Sequence, residues 1–187
     1  ELANQRWSKL QEEGFEPSGP CRAGVDVAGM GRDESVVCRR YGSYVSPFER
    51  HQSAGKADHM HVAGMVSRIL QNGDSFAYID TIGEGAGVFS RLCELGYKNA
   101  VSCKYSEGSR ELRDITGQLE FVNMRAYLFW CVRDWLNPKN KMNPSLPPND
   151  KFAEEATEIH WKFSSDGRIF IEPKEDIKKR IGRSPDD

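Results

Sequence analysis

Three short extended segments joined by tight turns, followed by helices and strands in alternation, leave this chain few folds to choose from. Residues 24–29 (GVDVAG), 34–41 (ESVVCRRY) and 44–48 are β-prone runs bounded by turn residues, which predicts an antiparallel meander. Residues 57–71 then set Met60, Val62, Met65, Val66, Ile69 and Leu70 on one helical stripe. Residues 75–79 form a buried strand ending at Asp80, and a second helix starts inside GEGAGVFSRLCELG, with Val88, Leu92 and Leu95 aligned and Gly96 as its stop. Residues 99–103 are another strand and residues 122–136 a third helix. A Pro/Asn-rich loop follows at residues 137–150, whose composition predicts mobility. A last hairpin pairs residues 159–163 with 168–171 across a Ser-Ser-Asp-Gly turn. The order β-β-β-α-β-α-β-α implies an α/β fold, a mixed sheet with helices on its faces.

The first fourteen residues (ELANQRWSKLQEEG) space Leu2, Trp7 and Leu10 as an amphipathic helix, and the breaker-rich FEPSGP follows it. Charge along this helix rules out a signal peptide. The longest apolar run, AYLFWCV at residues 126–132, falls well short of the ~20 residues a membrane helix needs. A chain of 187 residues can bury roughly 70% of its unfolded surface, so neither disulfides nor metal are required for folding. The five cysteines (Cys21, Cys38, Cys93, Cys103, Cys131) are odd in number and contain no Cys-x-x-Cys pair. That pattern indicates reduced, buried thiols and argues against a cysteine zinc site. With 26 Lys and Arg against 28 Asp and Glu, the chain is no gross polycation, although local zones of either sign can cancel in the sum.

The carboxylates carry the chemistry. Asp26 interrupts the first apolar strand, where an uncompensated charge costs several kcal/mol, on the order of a lost buried ion pair. Asp80 closes the next buried strand, and Asp186 and Asp187 lie in the terminal Gly-Arg-Ser-Pro-Asp-Asp. Brought to one sheet edge, such acids repel one another unless hard divalent cations, Mg²⁺ or Mn²⁺, bind between them. Two such ions roughly 3.5–4 Å apart are a usual apparatus for phosphodiester hydrolysis. Taken singly, a strand-end Asp serves equally as a turn former, and Ser184-Pro185 reads as an ordinary helix start. The run Asp80-Thr81-Ile82-Gly83-Glu84-Gly85-Ala86-Gly87 also admits a different reading, the Gly-rich turn of a methyltransferase or dinucleotide enzyme.

Four strings, GVDVAGMGRDESVV (residues 24–37), YIDTIGEGAGVFSRLCELGY (78–97), FVNMRAYLFWCVRDWL (121–136) and IFIEPKEDIKKRIGRSPDD (169–187), resemble in order the motifs of the nuclease domain of tailed-bacteriophage large terminase subunits. The resemblance implies an RNase H-like mixed sheet with helices on both faces. It also implies two-metal cleavage of double-stranded, concatemeric viral DNA with little sequence preference. Asp26, Asp80 and Asp186 match the catalytic metal ligands, with Asp187 the alternative third ligand. The same resemblance implies an upstream ATPase domain, residues 1–20 being its linker helix and breaker segment, and a nuclease domain at 21–187 cut at the start of its last helix. No Gly-x-x-x-x-Gly-Lys-[Ser/Thr] motor signature occurs in these residues. Portal ring and small terminase subunit follow as partners, and the host-cell cytoplasm, with transient docking on the procapsid, as location. A catalytically dormant docking module with the same fold is the alternative role.

Five basic residues, Lys174, Lys178, Lys179, Arg180 and Arg183, stand against Glu175 and Asp176 just before the terminal acids, a local net charge of +3. That placement suits phosphate contacts beside a cleavage site. Lys104, with Arg110, Lys139 and Lys141, is positioned on loops where it can extend such a groove, although each also serves as an ordinary solvated charge. His51 is expected in a loop and His160 on a strand; His59 and His61, two apart on a helix, point to different faces, which favours surface roles over ligation. Leu128, Phe129, Trp130 and Trp135 read as a core stripe. Arg125 reads as a partner for a core-edge acid.

Overall fold

The computed structural model describes residues 1–29, 34–52, 58–109 and 111–182, and divides into two compact units. The first comprises Glu1–Lys104 with Pro144–Pro147. Its sheet is built from β1 (Arg22–Asp26), β2 (Glu34–Tyr41), β3 (Tyr44–Val45), β4 (Glu49–Gln52), β5 (Phe76–Asp80) and β6 (Ala100–Cys103), in the order β3-β2-β1-β5-β6 with β4 also on β2. β1 pairs antiparallel with β2 and parallel with β5, and β5 pairs parallel with β6. The mixed sheet expected of an RNase H-like α/β fold is therefore present.

Alternation explains which face is covered. Ala23 and Val25 of β1, Val37 of β2 and Ala77 and Ile79 of β5 are buried, whereas Gly24, Asp26 and Tyr78 between them are exposed. The buried set packs against α2 (His59–Leu70) and α3 (Gly85–Glu94) through Val62, Ala63, Val66, Leu70, Val88 and Leu92. Those spacings are one stripe of a 3.6-residue period. Asp58 caps α2, its Oδ1 accepting from the His61 N–H at 3.0 Å.

The meander differs from expectation along its outer edge. β3 and β4 both pair with β2, Arg40 opposite Val45 and Val37 opposite Glu49, so Cys38 and Arg39 face three residues, Ser46, Pro47 and Phe48. One extra residue makes a bulge, and Pro47, which has no N–H to contribute, falls inside it. β4 carries no apolar alternation in its sequence, Glu-Arg-His-Gln; ion pairs of Arg39 with Glu49 and of Arg50 with Glu34 support its pairing instead. His51 thus sits on a strand, and His160 precedes one, the reverse of expectation.

α1 (Leu2–Glu12) docks on this unit through Trp7 Nε1–H, which donates to the Val45 carbonyl at 3.0 Å, and Asn4 Nδ2, which donates to Leu146 O at 2.9 Å. Pro144–Pro147 is buried rather than mobile, contrary to its composition. Ser145 bridges to Tyr44, with Val45 N–H donating to Ser145 O (2.9 Å) and Ser145 N–H donating to Ser43 O (2.8 Å). The flanking prolines have no N–H to leave unsatisfied, so the backbone of this stretch is buried at little polar cost, although the Ser145 hydroxyl has no hydrogen-bond partner among the described residues.

The second unit holds Tyr105–Asn143 and the chain from Pro148 onward. Asn123 caps α4 (Met124–Leu136), and Phe121, Ala126 and Trp130 pack with Ile169 and Ile171 of the hairpin β7 (Trp161–Phe163) and β8 (Ile169–Ile171). Trp130 is core as expected, but Phe129 is exposed. Arg125 donates to the Glu172 carbonyl at 2.6 Å rather than pairing with a side-chain acid. A helix the sequence reading lacked, α5 (Asp150–Thr157), begins at Asn149, whose side chain accepts from Phe152 N–H. α6 (Lys174–Ile181) ends at Gly182 in the left-handed region.

The thiols are less uniformly buried than expected: Cys21 is buried, Cys38 and Cys103 are half-buried, and Cys93 and Cys131 are exposed. Burial pushes the Cys38 thiol up to about 11. Because the thiolate is the reactive form, iodoacetamide at pH 8 is expected to label Cys93 fully before Cys38 reacts detectably, with Cys38 labelling rising only as the pH approaches 11, as read by peptide mass spectrometry.

Candidate active site

Asp26 and Asp80 end β1 and β5, and these strands are parallel neighbours. Their register runs from Arg22 opposite Phe76 to Val25 opposite Ile79, so the next step sets Asp26 beside Asp80. Both occupy the alternation positions of exposed Gly24 and Tyr78, so both project from the face opposite α2 and α3, at a strand spacing of roughly 5 Å. Asp26 is exposed, at the end of its strand rather than buried in the middle. Desolvation is therefore not the cost of this residue; what the site presents is a second carboxylate on the adjacent strand end.

The turns beyond the two strands are held firmly. Asp80 Oδ1 accepts from the Ile82 N–H at 3.0 Å, fixing the carboxylate, and Oδ2 has no hydrogen-bond partner among the described residues. Ser35, itself buried, accepts from the Ala28 N–H at 3.0 Å and so anchors the chain leaving Asp26. Thr81 N–H donates to Cys103 O at 3.0 Å, which ties the turn to the end of β6. Side-by-side carboxylates with one orientation-fixed member and an unused oxygen fit a hard divalent cation.

The Gly-rich turn does not fit the cofactor-cradle reading. A Cβ on Gly85 would lie 1.9 Å from the Asp80 carbonyl oxygen, and one on Gly87 would lie 2.7 Å from His59 Nδ1. Space over these glycines is filled by the protein itself, so their role is to let α3 start directly against β5. Gly83, at φ +92°, supplies the left-handed step of the same turn.

Sequence reasoning missed His59 and Glu84. Nε2 of His59 lies 2.7 Å from Glu84 Oε2, and Gly29, just past β1, leaves room for the Glu84 side chain, a Cβ there approaching its Cγ to 3.2 Å. The pair braces the turn after Asp80 against the start of α2. Its signal was the acid inside a glycine run, which has no reason to be there for backbone geometry alone. Gly87→Ala is expected to cost roughly 1–2 kcal/mol by overpacking against His59, with about half recovered in a His59→Ala background, as measured by urea unfolding.

Among the other predicted site residues, Lys104 is exposed one residue beyond the end of β6, at the same carboxyl edge as Asp80. Lys174, Lys178 and Lys179 are exposed on α6, Lys179 lying 3.5 Å from Asp176. Arg180 is already committed, to Glu158 and, at 2.7 Å, to Glu172. Both acids hold its charge in place, which leaves it less suited to phosphate than its lysine neighbours. Arg110, Arg183, Asp186 and Asp187 lie outside the described residues.

No family model matches the chain, and no curated protein does. Solved structures do match. The nuclease domain of the large terminase subunit of bacterial virus Sf6 aligns at a TM-score of 0.71 and 18% identity, over 98% of this chain and 93% of that one. A mutant of that domain, solved with manganese and beta-thujaplicinol, aligns at 0.71 and 19%, over 99% and 94%. The large terminase nuclease of thermophilic phage G20c with bound cobalt aligns at 0.51 and 14%, over 87% and 78%. At these identities the likeness is one of fold: this chain has the fold of phage large-terminase nuclease domains.

Proposed function

We propose that the chain is a metal-dependent endonuclease, the nuclease domain of a tailed-phage large terminase that cuts double-stranded, concatemeric DNA during packaging. The observation that carries this reading is the pairing of Asp26 and Asp80 on one face, at the carboxyl ends of adjacent parallel strands. The likeness to solved terminase nuclease domains over almost the whole chain supports it. Asp26, Asp80 and Asp186, or Asp187 in its place, would hold Mg²⁺ or Mn²⁺. Such ions supply an activated water and stabilise the leaving 3′ oxygen.

The protein's own part in that chemistry is positioning. The Asp80 carboxylate is held at a fixed angle by the Ile82 N–H, the backbone leaving Asp26 is anchored at Ala28 by Ser35, and Asp26 is exposed at its strand end, where a phosphodiester can reach it. No side-chain nucleophile is required. Lys104, Lys174, Lys178, Lys179 and Arg183 are the proposed backbone contacts, and Arg180 contributes by orienting α6 residues through Glu158 and Glu172. Contacts to phosphate position DNA without reading its bases, in keeping with low sequence preference. Working partners in this reading are DNA, an ATPase domain of the same polypeptide, the portal ring and the small terminase subunit, in the host cytoplasm and at the procapsid. Among the described residues no helix is long and apolar enough to cross a membrane.

Supercoiled plasmid incubated with the chain tests this reading. Linear product is expected with Mn²⁺ and none with excess chelator; equal cutting in both conditions sinks the metal-dependent assignment, and no cutting even with an ATPase region restored favours the docking role.

A further inference from the structure

We propose that His51, Asp58 and His61 form a second metal site, for a borderline divalent cation of the Zn²⁺ class, independent of the proposed cleavage chemistry. Two imidazole nitrogens and one carboxylate oxygen from these residues lie within 4.8 Å of one another. His51 is in β4, Asp58 is the N-cap of α2 and His61 lies in its first turn. The site stands apart from the paired aspartates because of the pleat. His51 is opposite Ser35, which shares the buried alternation of Val37 and the face covered by α2; Asp26 is opposite Val36 and projects from the other face.

The spacing is that of ligands rather than of a hydrogen-bonded pair. His51 Nε2 and Asp58 Oδ2 are 3.6 Å apart, too long for a good hydrogen bond. Around one ion with metal–ligand bonds of about 2.0–2.2 Å at tetrahedral angles, neighbouring ligand atoms stand roughly 3.4 Å apart. Nε2 of His51 is withdrawn from solvent and has no hydrogen-bond partner among the described residues, a polar atom aimed at a carboxylate it does not reach. Asp58 is pre-oriented, since its Oδ1 is occupied by the His61 N–H at 3.0 Å while Oδ2 faces His51. Support of that kind is what fixes ligating carboxylates in metal sites. The His51 and His61 rings stack with centroids 3.9 Å apart and planes 17° from parallel. Ring nitrogens bind metal through lone pairs in the ring plane, so ligation of one ion by both residues requires the His61 ring to turn out of this stack. Exposed His61 has room to turn its ring nitrogen toward the other two ligands.

Donor chemistry selects the ion. Imidazole favours Zn²⁺ and its neighbours in the transition series, whereas Mg²⁺ prefers oxygen ligands only. Occupied, the site would clamp β4 to the start of α2.

Calorimetric titration of Zn²⁺ in excess Mg²⁺, on untagged protein carrying Asp26→Asn and Asp80→Asn, isolates this site. One Zn²⁺ per chain is expected, weakened at least about tenfold by His51→Gln or His61→Gln. Co²⁺ should give visible absorption of an imidazole-ligated ion that is lost in His61→Gln, an exposed position where the fold is not at stake. Absence of Zn²⁺ binding in the Asp-substituted protein, or affinity and Co²⁺ spectrum unchanged by His61→Gln, overturns the proposal.

Discussion

Asp80→Asn is expected to lower Mn²⁺-dependent DNA cleavage at least about a hundredfold while the chain stays folded. Asn keeps an oxygen in the Oδ1 position, where it still accepts from the Ile82 N–H, and the residue is only half-buried, so the turn beyond β5 survives. What disappears is one negative charge and with it one strong ligand for a hard cation. Interactions made to developing charge in a transition state are typically worth 10²–10³ in rate, which sets the scale. Asp26→Asn should behave alike. The stability pattern is equally diagnostic. Without metal, Asp80→Asn keeps the contact with the Ile82 N–H, so its thermal stability should stay close to that of the wild type. With Mn²⁺ at about a hundred times its dissociation constant, the wild type should gain about 2.7 kcal/mol by linkage and the variants much less. Cleavage at the wild-type rate by both variants would falsify the site assignment.

Gly85→Ala is the second large effect, and it falls on stability. A methyl group there meets the Asp80 carbonyl oxygen at 1.9 Å, the Asp80 carbonyl carbon at 3.0 Å and Ile79 Cγ2 at 3.3 Å. Two of those three atoms are backbone, so no rotamer change relieves the overlap and α3 must move away from β5. Overpacking commonly costs 1–3 kcal/mol, and a backbone clash of this depth belongs at or above about 3 kcal/mol. In a chain of this size that corresponds to a fall in Tm of roughly 6–12 °C. Because Ile79, Val88 and Leu92 form one core, the shift should also displace Asp80 and reduce cleavage beyond what the lost stability explains. A Tm within 2 °C of wild type, on the order of a neutral surface substitution, contradicts the packing described for this turn.

What could be read in advance follows from which forces leave a mark in sequence. β1, β2 and β5 and helices α2, α3 and α4 bury regular stripes, so their apolar periodicity announced them and put Asp80 at a strand end, whereas Asp26, expected inside its strand, closes it. β4 is held by pairing to β2 and by ion pairs of its neighbours, and Glu49–Gln52 carries no apolar alternation that reveals it. Missing β4 hid the approach of His51 to Asp58 and His61, since that contact exists only once Glu49–Gln52 runs along β2. α5 buries little beyond Glu155, and its one clear signal, the Asn149 cap, was lost in a Pro/Asn-rich neighbourhood. Pro144–Pro147 carried a loop composition yet is buried, because its backbone groups are taken up by Ser43 and Val45 and by Ala3 and Asn4 of the N-terminal helix, while its prolines have no donor to satisfy. Periodicity placed Asp80 and the family resemblance singled out Asp26 beside it; the His59–Glu84 brace depends on gaps left by glycines, which only three dimensions show.

Anomalous scattering from crystals of the chain soaked in Mn²⁺ tests the central claim most directly. The account predicts a manganese peak bonded to carboxylate oxygens of both Asp26 and Asp80, at about 2.0–2.6 Å, the span of Mg²⁺–oxygen and Ca²⁺–oxygen bonds. Manganese bound elsewhere, with both of these carboxylates free of metal, would contradict it.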